Sequence, residues 1–307
     1  MPMLDKMIVC CLTSLLLVGC SGINSDSDVT ISETVSLNWI LGEDELLAYA
    51  TTMESIQDAD AQSDTETLLT MDEGSLSDLL PDIPIPASNA YTSILNLNEQ
   101  GNINIRMILD EVTYAEEDEE LADENPFTSL LGQMEGTVQL RGVVQPDGAI
   151  ASFYNQSRQR NLVAMFFELP TSPVQIGDTW QLDFNCISMG LGFIPDTADK
   201  INEVTLTDIT QTAEGERVAV IDYRLIETVE GIMDPSFALS DDSEEIPVSM
   251  ECYYIARGHF LIDEGRWQQL IGEFAVISDG GFMTSSNVQR VALMPLADFP
   301  DEYRDLP

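Results

Sequence analysis

From residue 35 onward the chain is dominated by alternation of apolar and polar residues with a period of two, which predicts β-strands. Val35, Leu37, Trp39 and Leu41 share one face of a first extended segment. Gly42-Glu43-Asp44 then turns the chain into a second at 46–53. Residues 91–97 and 102–114 read as a hairpin across Asn98-Glu99-Gln100-Gly101, and a further hairpin turns at Pro146-Asp147-Gly148. Only at 157–168 does the period lengthen: Leu162, Val163, Phe166 and Phe167 recur at helical spacing and Pro170 stops the run. Beyond it, Trp180, Leu182, Phe184 and Cys186 share one strand face. Residues 203–210 and 217–229 form a hairpin around Glu214-Gly215, and 249–262, 267–277 and 282–294 follow with Gly- and Asp-containing turns.

Between these elements lie acidic stretches at 54–88, 116–124 and 234–245 that are poor in apolar residues and read as long connections, the first with a short helix at 75–80. The prediction is an all-β, mainly antiparallel protein of two similar β-rich halves forming one or more curved sheets, with one helix near 157–168. The halves are 35–168 and 180–307, joined by a hinge at 169–179. Met134-Glu135 and Arg141-Gly142 reappear 116 residues later as Met250-Glu251 and Arg257-Gly258. In that frame the inward positions Met134, Gly136, Val138, Leu140 and Val144 correspond to Met250, Cys252, Tyr254, Ala256 and Phe260, as an internal repeat would require.

The N-terminus has a different pattern. Lys6 precedes an apolar run at 7–18 that is too short to span a bilayer as a helix, and Leu17-Val18-Gly19-Cys20 closes it. Those four residues resemble the lipobox of bacterial lipoproteins. The resemblance implies a signal peptide at 1–19 and acylation of Cys20, which becomes the first mature residue. It also implies attachment by acyl chains such as palmitate and, with Ser21 and no Asp after the cysteine, an address on the periplasmic face of the outer membrane. Residues 20–34, rich in Ser, Asp and Asn, read as a flexible tether. The hinge string Leu169-Pro170, Pro173-Val174 and Gly177-Asp178-Thr179-Trp180 resembles one found in an uncharacterised group of β-rich bacterial envelope proteins. No activity comes with that resemblance.

Charge narrows the partners. The 307 residues carry 54 Asp and Glu against 12 Lys and Arg, a net charge of −42 that loss of residues 1–19 leaves unchanged. Such a field excludes nucleic acid as a partner. It reads as a solvated surface suited to high ionic strength, where self-repulsion is screened.

Candidate chemistry is sparse. Cys186 and Cys252 fall on apolar strand faces and read either as a disulfide, which export permits, or as two buried thiols. His259 is the sole histidine, on a polar face without a nucleophile motif beside it. Glu135 and Glu251 hold equivalent repeat positions and read as charge pairing on a wet face, with glycan hydrolysis a remote third function. Asp58, Asp60 and Asp64 imitate a calcium loop, but Ser63 stands where glycine is needed and Leu69 where the bidentate glutamate is needed. No metal or cofactor is expected. In the last strands Trp267, Ile271 and Ile277 alternate on one face and Leu270, Phe274 and Val276 on the other. Trp267, Leu270, Ile271 and Phe274 therefore read as core under a helix or as a greasy surface that accepts a lipid.

Two non-enzymatic functions fit these features. One is an outer-membrane lipoprotein binding an apolar envelope component or an envelope protein, by analogy with the curved sheets of lipoprotein carriers. The other is a structural or assembly lipoprotein with no small ligand.

Overall fold

In the computed structural model, which describes residues 34–56, 86–115, 126–154, 157–187, 193–233, 246–280, 285–304 and 306, the two expected halves share a single sheet. In chain order its strands are β1 (Leu47–Ser55), β2 (Ser88–Leu97), β3 (Ile103–Thr113), β4 (Val138–Val144), β5 (Ile150–Tyr154), β6 (Thr179–Trp180), β7 (Phe193–Gln211), β8 (Arg217–Met233), β9 (Ile246–Leu261), β10 (Arg266–Asp279) and β11 (Ser285–Pro295). Two helices, α1 (Pro126–Gly132) and α2 (Ser157–Phe167), and a 3-10 turn at Asp301–Tyr303 complete the elements. All pairings are antiparallel, in the order β5-β4-β3-β2-β1-β11-β10-β9-β8-β7-β6. The first half runs outward from the centre through β1 to β5 and the second through β11 to β6. They join where β1 pairs with β11, from Tyr49 opposite Pro295 to Ser55 opposite Gln289. The all-β reading is correct, and residues 33–307 make one compact unit. The predicted helix, the Ser75–Leu80 region aside, appears as α2; residues 75–80 lie outside the described residues.

One face of the sheet, called inner here, carries the main core. Tyr49, Leu95, Ile105, Leu140, Leu206, Ile221, Tyr254, Phe260, Trp267 and Leu293 all point into it. Across this face lies α2, packed against β4 and β5. Val163, Ala164, Met165, Phe166 and Phe167 are all buried, so the second half of the helix is apolar on every side, as a helix enclosed by protein must be. Close approach to the sheet requires the absence of a side chain at Gly142 on β4, where a Cβ would sit 2.9 Å from Val163 Cγ2. Gly258 on β9 makes equivalent room for the Trp267 ring, 2.5 Å from where its Cβ would be. These two glycines are the Arg-Gly positions of the repeat and they do share a facing. The repeat fails earlier: Met134 to Gly136 form a turn, with Gly136 at φ 72°, whereas Met250 to Cys252 are paired strand.

Two predicted strands are not strands. Residues 35–41 make a single bridge, Val35 to Val174, and residues 181–187 form no ladder beyond β6. Both nevertheless bury alternate side chains, Val35, Leu37 and Trp39 in one and Leu182 and Phe184 in the other, because both lie against the inner-face core. The alternation reported burial, and pairing did not follow from it. Conversely, β7 begins ten residues before the predicted start, and its polar first part, with Pro195, Asp196 and Asp199, is exposed. Among the described residues that part pairs with no strand on its far side, since β6 reaches only Thr205 and Val204. Pro, Asp and a register shift between Pro195 and Thr197 are what an open sheet edge tolerates.

Residues 57–85, 116–125 and 234–245 contain eight, seven and five acidic residues and no lysine or arginine. The strand ends flanking them all lie along one end of the sheet, as the registers of β1 with β2, β2 with β3, and β8 with β9 require. Tight turns occupy the other end, at Gly101, Gly148, Gly215 and Gly265, each with positive φ.

Candidate functional site

The four residues read as an apolar ligand surface are divided by the sheet. A register shift between Trp267 and Gln269 opposes Trp267 to Phe260 and Leu270 to Gly258, so Trp267 and Leu270 both face inward. They are 0 % and 1 % exposed. Ile271, opposite Arg257, faces outward and is 43 % exposed, while Phe274 is partly buried against the core. The expected grouping of Trp267 with Ile271 is therefore corrected: one extra residue in a strand flips every facing beyond it. The Trp267 ring lies edge-on to Phe260 at 5.1 Å, and Trp39 lies edge-on to Phe260 and tilted against Phe167. No room for a lipid remains over Trp267, because α2 is there.

Beside this plug, residues 181–187 cross the inner face held by side chains in place of a ladder. Asn202 on β7 accepts from the Leu182 N–H at 3.0 Å and donates to the Leu182 carbonyl at 2.7 Å. Asn161 on α2 treats Asn185 in the same way, at 2.9 and 2.8 Å, and the Glu168 carboxylate accepts from the Asp183 N–H. Glu227 on β8 is buried and accepts the N–H groups of Cys186 and Ile187 at 2.7 and 2.8 Å. Its other oxygen pairs with Lys200, which also donates to the Phe184 carbonyl. Cys186 is joined by a disulfide to Cys252, which lies opposite Glu227 in the sheet, with a Cα separation of 6.2 Å. Sequence reading singled out both cysteines and missed Glu227 and Lys200, although Lys200 is the only lysine after Lys6.

The remaining candidates come apart. His259 faces outward and shares a hydrogen bond with Gln269 at 3.1 Å. Glu135 sits in the turn before β4 and accepts from the Val112 N–H, whereas Glu251 is strand, so the two are not equivalent. Asp58, Asp60 and Asp64 lie outside the described residues, as does Cys20. Among the described residues no group of three or more His, Cys, Asp or Glu is placed to hold a metal ion. No helix among them is long and apolar enough to cross a membrane.

No family model, curated protein or solved structure matches the chain.

The outer face carries a feature that sequence reading did not find. The chain after β11 folds back over β2 and β3, where Tyr303 covers Ile94 and Ile108 with Phe299 and Leu306 beside them. Between this tail and strands β2 to β5 opens a cleft of about 630 Å³, lined by Arg106, Arg141, Arg304, Asn96, Asn104 and Ser152 among others. Arg106 and Arg141 stand directly opposite each other in register. Burial and a hydrogen bond to Asp110 push the Tyr303 phenol up to about 12, which keeps it neutral under the tail.

Proposed function

We propose that the protein is a non-enzymatic lipoprotein, tethered through Cys20 to the periplasmic face of the outer membrane, that acts through the outer surface of its sheet. The observation supporting this reading is the plugged inner face. The carrier analogy requires a hollow there, and α2 fills it, with Trp39 and Trp267 donating their indole N–H groups to the Phe167 and Phe166 carbonyls. A sheet that encloses its own helix in this way offers its outside to partners and serves structure or assembly in the envelope. The lipobox residues Leu17 to Cys20 support the anchor. The Cys186–Cys252 disulfide is in keeping with an oxidising compartment.

A carrier of apolar molecules is the second reading. It is favoured by Val276, which lies opposite the inward Cys252 yet is 39 % exposed.

Membrane fractionation of wild type and Cys20→Ala tests the anchor: the variant is expected in the soluble periplasmic fraction, and its retention with the membrane would refute anchoring at this residue. Native mass spectrometry of the detergent-purified full chain separates the two roles. Only covalently attached acyl mass is expected; a stoichiometric, non-covalent apolar molecule would overturn the proposal in favour of the carrier.

A further inference from the structure

We infer that the outer face of the sheet around β9 is a self-association surface, on which a second copy of this chain packs face to face about a two-fold axis parallel to β9. The inference deepens the reading of the outer face as the working surface by naming its partner. The first argument is an apolar row where water selects polar residues. Ile201 on β7, Ile226 on β8, Tyr253 on β9, Ala275 on β10 and Val288 on β11 are successive cross-strand partners. They alternate with inward neighbours such as Cys252 and Tyr254, so the row lies on the outer face. In the next two rows Ile255 and Ile271 are each 43 % exposed. An antiparallel sheet with one wet face keeps that face polar, yet these five strands carry apolar residues on both. Among the described residues the tail's apolar cluster covers this face only over β2 and β3.

The second argument is the order of charges in the adjoining row. Glu203, Arg224, Ile255, Glu273 and Arg290 follow one another across β7 to β11. A two-fold axis along β9 lays β8 over β10 of the other copy and β7 over β11. Arg224 then meets Glu273, Glu203 meets Arg290, and Ile255 meets itself, so every charged contact joins opposite signs and each occurs twice. Had the row read Glu-Arg-Ile-Arg-Glu, every charged contact would join like signs. Packed sheets rotate by about 30° at a separation of about 10 Å, which displaces the outermost of these columns by roughly 5 Å, within the reach of an arginine.

Third, net charge restricts where two such chains can approach. Each carries −42, so close contact needs a patch whose own charges cancel, as the two arginines and two glutamates of this row do. Glu251 at one margin and Arg257 at the other would meet their own copies, and the contact ends between them. Arg257 is already neutralised by Asp222 at 2.6 and 2.7 Å. Five strands about 4.8 Å apart and some six residues along β9 give a footprint of roughly 24 by 20 Å, or about 1,000 Å² over both copies. That is the size of a weak, reversible association.

Native mass spectrometry of the detergent-purified full chain, over a concentration series in ammonium acetate, tests it. Wild type is expected to populate a dimer, more so as ionic strength rises and long-range repulsion is screened. Arg224→Glu and Glu273→Arg each place like charges at two contacts, and each is expected to weaken the dimer about tenfold or more. An equimolar mixture of the two variants restores both contacts and is expected to recover the dimer as the mixed species, which also shows that both variants are folded. Wild type that stays monomeric throughout, a dimer that both variants leave intact, or a mixture that stays monomeric would overturn the inference. The same spectra keep it apart from the reading on which it rests. A monomer carrying only acyl mass overturns the dimer alone, whereas a stoichiometric, non-covalent apolar molecule overturns the choice of the outer face.

Discussion

The indole N–H of Trp267 donates to the carbonyl of Phe166 at 2.7 Å, across 101 residues of sequence. Trp39 donates to the next carbonyl, Phe167, at 2.9 Å. Both acceptors belong to the last turn of α2, where carbonyls have no partner within the helix. The two tryptophans thus end the helix chemically as well as filling the space beside it. Trp267→Phe is expected to cost about 2–4 kcal/mol, combining lost packing with a buried carbonyl left unsatisfied. Urea unfolding measures it, and a midpoint equal to wild type would show that the hydrogen bond does not secure α2.

At Gly142 the helix packs directly over the backbone of β4. A Cβ there would meet Val163 Cγ2 at 2.9 Å, so Gly142→Ala should lose about 1–3 kcal/mol by overpacking. The informative experiment is the double substitution. Adding Val163→Ala removes the clashing methyls, and the expected coupling is favourable, with the pair less destabilised than the sum of the singles. Strict additivity would show that Gly142 is needed for some other reason.

Residues 181–187 depend on Glu227. Replacing it with alanine leaves the Cys186 and Ile187 N–H groups without their acceptor and Lys200 without its counter-ion, a loss of about 2–4 kcal/mol. The disulfide closes a separation of 66 residues, and its removal by Cys186→Ser with Cys252→Ser should cost about 2–4 kcal/mol through the unfolded chain. Hydrogen exchange distinguishes the two. Glu227→Ala is expected to unprotect the amides of 186 and 187 locally, ahead of global unfolding.

Alkaline pH should loosen the C-terminal tail. Burial and the Asp110 hydrogen bond raise Tyr303 to about 12 in the folded chain, whereas an unfolded tyrosine ionises near 10. The folded state holds this proton more tightly, so its contribution is complete below about pH 10 and is lost as pH rises through about 12. Wild type should therefore lose more stability than Tyr303→Phe across that window, measured by urea midpoints. Parallel slopes for the two proteins would show that Tyr303 does not sense pH. Tyr49, Tyr223 and Tyr254, also raised by burial, are common to both and cancel.

Strand identity was legible because burial on one face imposes a period of two, and turns were legible because Gly101, Gly148, Gly215 and Gly265 mark backbone that other residues rarely adopt. Pairing was less legible. Residues 35–41 and 181–187 carry the strand pattern without a ladder, since side chains such as Asn202, Asn161 and Glu227 satisfy the backbone of the second as well as a neighbouring strand would. The beginning of β7 is a strand without the pattern, because an exposed edge does not select apolar residues. Facing failed at Trp267, where one bulged residue reverses the alternation that period-two reading assumes. The cleft was hidden for a different reason. Arg106 and Arg141 are 35 residues apart, and only the combined registers of β3 with β4 and the return of the tail bring Arg304 to them.

The position of β11 also constrains how the sheet can be made. The last of the described strands in chain order, it is the one that fills the gap between β1 and β10. Until residue 295 has emerged, β1 and β10 each present a long row of unpaired amides and carbonyls, and such rows recruit any extended segment available. Completion joins strands more than two hundred residues apart in sequence, a closure that is slow in an antiparallel fold. A chain cut before Ser285 would hold two sticky partial sheets. During biogenesis, the interval between synthesis and the arrival of β11 is when this protein most needs protection from aggregation.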